Sequence, residues 1–170
     1  MPPSPEIEAW PWRLKVYTLG RFGIVLDNHS LPADRGNRQG RPLSLLKSLI
    51  AFGGRQVSQA DLAEALWPEA EGDAARRAFD TTLHRLRTLL GEETLILEDG
   101  KLTLDPRRCW VDLWAVERAM GRLDQALKNP APKTETICAL AEKICALYEG
   151  PFLREEEAAW ALSRRERLHA

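Results

Sequence analysis

Between Asp73 and Gly91 the sequence DAARRAFDTTLHRLRTLLG gathers arginines, a histidine and threonines at helical spacing. With each residue set about 100° further round an axis, Arg77, Thr81, His84, Arg85 and Thr88 share one side. Phe79, Leu83, Leu86 and Leu90 fall together on the other, as a stripe that belongs against a core. Arg76, Asp80 and Arg87 lie on a flank. Asp73 is the expected N-cap and Gly91 the expected C-cap. Guanidinium forks interleaved with short hydroxyls suit an anionic partner rich in hydrogen-bonding groups, such as nucleic acid. The same pattern also describes an ordinary solvated face, and the helix alone leaves these readings balanced. Its neighbours along the chain must decide.

Other chemistries find less support. No paired catalytic carboxylates, nucleophile elbow or metal-ligand spacing is present, so the chain reads as a non-enzyme that needs no cofactor. His84 has no second ligand near it in sequence. The run from Gly36 to Arg41 has glycines four apart but lacks the Gly-Lys-Ser/Thr ending of a phosphate-cradling loop. Cys109, Cys138 and Cys145 form no CxxC pair and are odd in number, which points to reduced thiols in a cytoplasmic protein. No apolar run approaches a membrane span, so no membrane partner is expected. The net charge of −1 offers no overall attraction to nucleic acid, so any attraction must be local. Residues 36–58 carry basic side chains and no acids, whereas acids are frequent after Asp112.

The elements that must position the helix follow from turn and cap signals. Residues 1–12 are proline-rich and read as a flexible tail. Leu14, Val16 and the run from Tyr17 to Leu19 predict one strand, alternation at Phe22, Ile24 and Leu26 predicts a second, and Asp27-Asn28 turns into a brief third at Ser30-Leu31. ADRGNRQGRP, residues 33–42, reads as a flexible basic loop. Pro42 opens a helix carrying Leu43, Leu46, Leu49 and Ile50 and ending at Gly53-Gly54. Ser58 caps the next, with Asp61 three residues on and Trp67 closing it before Pro68. After Gly91, residues 94–97 and 101–104 flank an Asp-Gly turn and predict a hairpin, and Cys109–Leu113 extends an outer strand. Asp112 and Thr134 are the expected caps of two further helices, and Glu155–Leu168 spans a third. The first carries Leu113, Val116, Met120, Leu123 and Leu127, and the three are expected to stack as in tetratricopeptide-type pairs.

Three helices followed by a hairpin make the winged variant of helix-turn-helix. With a strand meander ahead, the order resembles the effector domain of OmpR/PhoB-class response regulators. The residues that carry this likeness are Leu19-Gly20 with Phe22, the Ser44–Phe52 helix, Val57-Ser58, Leu62-Ala63, Leu66-Trp67, Phe79-Asp80 and Leu83 through Leu90. The chain more closely resembles bacterial activators of the SARP type, in which a helical bacterial transcriptional activation domain follows the winged helix. Cys109-Trp110-Val111-Asp112, the run from Leu147 to Leu153, Trp160 and the run from Arg164 to Leu168 carry that second likeness. The expected fold is α+β, a winged helix-turn-helix with an N-terminal antiparallel sheet and a C-terminal wing, followed by a small all-α TPR-like segment. The expected division is residues 1–12 as tail, 13–112 as DNA-binding domain and 113–170 as helical segment, the last truncated relative to the full family unit.

The resemblance implies a sequence-specific, double-stranded-DNA-binding transcriptional regulator, an activator, that reads the major groove with helix 73–90. By position, Arg85 and Thr81 face base edges, while Arg77, His84 and Arg87 pin phosphates and Thr88 lies on the same face. Lys101 and Arg107 by the wing, and Arg41 and Lys47 by the first helix, are further backbone candidates, with salt bridges or plain solvation as the alternative for the wing residues. In related response regulators the loop corresponding to Trp67–Gly72 contacts RNA polymerase; here Trp67, Glu69 and Glu71 are either that contact or an ordinary surface loop. The class also binds direct repeats side by side, which makes further copies of the chain candidate partners. The alternative function is a protein-interaction module on a winged-helix/TPR-like scaffold.

Overall fold

The structure is a computed structural model that describes residues 10–32 and 36–169, with side chains of 36–39 outside the description. Most of the expected tail, and residues 33–35 of the expected basic loop, therefore lie outside the described residues. Trp12, assigned to the tail, is instead buried. Its indole is large enough to pack wherever the chain brings it against the core, and tail composition does not reveal that.

Alternation of inward Leu14 and Val16 with outward Lys15 and Tyr17 forms β1, Leu14–Tyr17. It pairs antiparallel with β2, Gly23–Leu26, which pairs with β3, His29–Leu31. Asp27 and Asn28 both take positive φ, as a two-residue hairpin turn needs for its twist to match the strands.

Helix α1 spans Gly36–Ala51, so it starts six residues before the proline expected to open it. Pro42 sits inside, where it withholds one backbone donor. The helix persists because its second half is buried at Leu43, Leu45, Leu46, Leu49 and Ile50. Tertiary burial outweighs the local cost. Ser58 does cap α2, Gln59–Leu66, accepting from the Asp61 amide.

The hairpin after α3, Gly72–Leu90, is β5, Leu95–Glu98, and β6, Lys101–Leu104, preceded by a 3-10 turn at Glu92–Thr94 that the pattern did not announce. Asp99 and Gly100 supply its positive-φ turn. A two-residue strand β4, Val57–Ser58, adds to the far side of β6 and completes a three-stranded wing sheet.

Strand β7, Cys109–Val111, joins neither β5 nor β6. It pairs parallel with β1 and closes the first sheet in the order β3-β2-β1-β7. This carries the chain back to its start before α4, Asp112–Leu127. Asp112 is the first residue of that helix rather than its cap; its buried carboxylate accepts from the Thr18 and Leu19 amides, the Thr18 hydroxyl and the Leu113 amide.

Helix α5, Thr134–Leu147, packs beside α4, with Lys133 rather than Thr134 at its cap position. Helix α6, Ala159–His169, starts four residues later than expected and lies chiefly on α1 instead of extending a stack. The reason is the return segment before it. Gly20 N donates to Pro151 O, Leu153 N to Thr18 O and Arg154 N to Gly20 O, while Phe152 and Leu153 enter the core. Gly20 and Gly150 touch so closely that a Cβ on Gly150 would lie 3.2 Å from Gly20 Cα. Arg165 then donates to the Phe152, Leu153 and Glu156 carbonyls and holds α6 over this turn. One continuous core links both sheets, α1, α2, α3 and the first turn of α4.

Candidate nucleic-acid interface

Helix α3 spans Gly72–Leu90 and has two unlike faces. Phe79, Leu83, Leu86 and Leu90 are buried, and Thr82 joins them between Phe79 and Leu86. Arg77, Thr81, His84, Arg85 and Thr88 are all exposed. The helix starts one residue before Asp73, with Glu71 at the cap position and no side-chain cap bond. Asp73 therefore sits in the first turn, where its charge still favours the positive end of the helix dipole. Gly91 ends the helix at φ +109°, its amide donating to Arg87 O.

The structure separates the basic residues into free and engaged groups. No ion pair is found for Arg77, His84 or Arg85 among the described residues. Thr88 turns its hydroxyl back to His84 O at 3.0 Å. Arg87 is half-buried, and its Nε and Nη2 both donate to Leu95 O, at 3.2 and 3.0 Å. It thereby ties α3 to β5. Arg41 donates to Leu66 O at 2.6 Å and lies over the Trp67 ring, joining α1 to the end of α2. Lys47 meets Glu156 at 3.2 Å and the face of Phe22 at 4.8 Å. This contact exists because the return segment before α6 covers that end of α1.

At the wing, Lys101 is exposed at the first position of β6, opposite Glu98. Arg107 folds back on Asp105, with two side-chain contacts of 3.1 Å, and Arg108 pairs with Glu93 at 2.7 Å. Burial alone would raise the Asp105 carboxyl. Hydrogen bonds from the Arg107 side chain and backbone, with the charges of Arg107 and Arg108, outweigh it and hold the carboxyl below the usual aspartate range. Its contribution to stability is thus present above the ordinary aspartate pKa and fades as pH falls through the lowered folded value. In Arg107→Ala, the Asp105 titration followed by NMR is expected to move upward. An unchanged midpoint would remove Arg107 as the cause.

Gln59 was not singled out by any sequence signal, yet it joins three parts of this region. Its amide donates to Gly100 O at 2.8 Å in the wing turn, and its side chain donates to Asp80 on α3 at 3.3 Å. Asp80 thus takes a glutamine as its hydrogen-bond partner. Beside it, a groove of about 500 Å³ runs between α2, the following loop and the first turn of α3, lined by Ala60, Ala63, Trp67, Ala70 and Ala75. Trp67 is half-buried at its edge; Glu69 and Glu71 are exposed on the loop.

Taken together, α3 offers an open row of Arg77, Thr81, His84 and Arg85, anchored from behind by an apolar stripe and flanked by a wing bearing Lys101. No protein-family model matches the chain. Over 165 residues, 97% of its length, it is 27% identical to the regulatory protein AfsR of Streptomyces griseus, of which it spans 16%. The structure of Mycobacterium tuberculosis EmbR in complex with a low-affinity phosphopeptide superposes with a TM-score of 0.71 at 21% identity, over 93% of this chain and 42% of that one. Among the described residues no helix is long and apolar enough to cross a membrane. The structural likeness establishes the fold as a winged helix joined to packed helices, and the similarity to AfsR upholds the resemblance to regulators of the SARP type.

Proposed function

We propose that this chain is a sequence-specific DNA-binding transcriptional regulator, an activator, that inserts α3 into the major groove and acts in the cytoplasm without catalysing a reaction. The observation that carries the proposal is the division of α3 into a buried apolar stripe and an exposed row with arginines that hold no ion pair among the described residues. A guanidinium fork matches guanine O6 and N7, and a threonine methyl packs on thymine. Arg85 and Thr81 take those roles, with Arg77 and His84 on phosphates. Lys101 reaches backbone from the wing. Thr88 lies at the margin of the face. Arg41, Lys47, Arg87 and Arg107 act mainly by holding the elements in place, given their intramolecular partners.

Residues 13–112 form the DNA-binding unit in this proposal and residues 113–170 the helical one, with the tail ahead of both. The exposed Glu69 and Glu71, with Trp67 at the groove edge, are the surface offered to RNA polymerase, and neighbouring copies sit on direct repeats. Exposed Met120 and Leu127 on α4 favour the second reading, a protein-interaction module, for the helical half.

The test is a mobility-shift titration on DNA selected from a random pool, at two salt concentrations. Bound cationic side chains release counterions, so affinity is expected to fall steeply as salt rises, with a log–log slope of about −0.9 per phosphate neutralised. Absence of binding, or binding indifferent to salt and to loss of Arg77 and Arg85, would leave the interaction-module reading in its place.

A further inference from the structure

In the first turn of α4, Trp114 reaches across to the segment that follows α1. Gly54 has φ +76°, and a Cβ there would lie 2.5 Å from Trp114 Cζ2, so the indole rests directly on the backbone. Arg55 covers the ring, its guanidinium carbon 5.7 Å from the centroid. Trp114 is itself buried. Around this contact the chain is fastened to the wing through Gly54, Gln56, Val57 and Ser58. Leu104 N donates to Gly54 O at 2.8 Å, Gln56 N donates to Thr103 Oγ1 at 2.9 Å, and Val57 and Ser58 pair with Leu102 and Lys101. Ser58 then caps α2, and Gln59 touches both the wing turn and α3.

We infer that Trp114 is a positioning residue for DNA binding: it clamps Gly54–Arg55, and through that segment the helical half sets the alignment of the wing and α2 against α3. This rests on the DNA-binding reading for its functional consequence. The physical linkage stands on its own contacts. A rigid segment hydrogen-bonded along β6 cannot shift without moving the wing or breaking those bonds, so anything that displaces α4 is felt at Lys101 and Gln59. The helical half then becomes a control surface for affinity rather than only an attached unit.

The test uses the whole chain carrying Trp114→Ala, Trp114→Phe, Gly54→Ala and the double variant Trp114→Ala with Gly54→Ala. Affinity is measured well below each unfolding transition, so that lost stability does not enter. Trp114→Ala is expected to weaken binding to selected DNA by about tenfold, with Trp114→Phe restoring most of it. The amides of Leu104 and Gln59 are expected to exchange about tenfold faster. The double variant should fall short of the product of the single effects, because removing the indole relieves the clash made by the new methyl. Unchanged affinity in Trp114→Ala overturns the proposal, as do unchanged exchange at both amides or strict additivity. Failure of the wild-type chain to bind DNA would instead refute the functional reading. The exchange and additivity results, read out by unfolding, would still decide whether the linkage exists.

Discussion

Asp112→Ala is expected to lower folding stability by about 3–5 kcal/mol, measured by urea denaturation. The carboxylate is buried and accepts from the Thr18 and Leu19 amides, the Thr18 hydroxyl and the Leu113 amide. Alanine leaves the Thr18 and Leu19 amides, just after β1, without this partner in the interior, and an orphaned buried donor costs about 1–3 kcal/mol. The hydroxyl can rotate toward another acceptor and softens the total. Asp112→Asn keeps one acceptor but turns an NH₂ toward donors, so it should fall between. A loss below about 1 kcal/mol would show that water or a local shift satisfies these groups, and that Asp112 is not what holds α4 to β1.

The same residue has a pH signature. Burial pushes the Asp112 carboxyl above the ordinary aspartate range, against the pull of its donors. Between the ordinary value and the raised folded one, the folded chain keeps a proton that the unfolded chain has released. The contribution of Asp112 therefore weakens as pH climbs through that window, opposite in sign to Asp105. Removing Asp112 should flatten the first trend and leave the second.

Arg85→Ala is expected to weaken binding to the preferred DNA by about 1–3 kcal/mol, roughly 5- to 150-fold, with little loss on scrambled DNA. The side chain is exposed and holds no ion pair among the described residues, so its removal should leave stability near wild type. The contrast between the two DNAs is the informative quantity. A base-reading arginine loses its effect when the base is wrong, whereas a phosphate-bound one weakens all sequences alike and lowers the salt slope by about one. Equal loss on both DNAs would move Arg85 to the phosphate group. No loss on either would take α3 out of the interface.

Arg87 shows why position on a helical wheel is an incomplete guide to a site. It lies two residues from Arg85 in sequence, and its guanidinium looks equally available there. In the fold it is spent on Leu95 O, because the chain turns back after Gly91 and lays β5 alongside the helix. Lys47 is similar: its partner Glu156 lies over a hundred residues away, brought in by a return segment whose course depends on two glycines in contact. Pro42 misled in the other direction. Its local preference marks a helix start, but six further residues precede it in α1, whose second half is buried on the core.

The sequence alone determined the features whose causes are local. The two faces of α3 follow from a 3.6-residue period, the hairpin turns at Asp27-Asn28 and Asp99-Gly100 from residues that tolerate positive φ, and the cap at Ser58 from a hydroxyl three residues before an amide in need of an acceptor. Tertiary structure alone decided the parallel pairing of β7 with β1, the burial of Asp112 under Thr18, the seat of Trp114 on Gly54 and which arginines remain open to a partner. The physical reason is range. Periodicity and turn chemistry act over a few residues, whereas these contacts join segments whose neighbours are set only when the whole core closes.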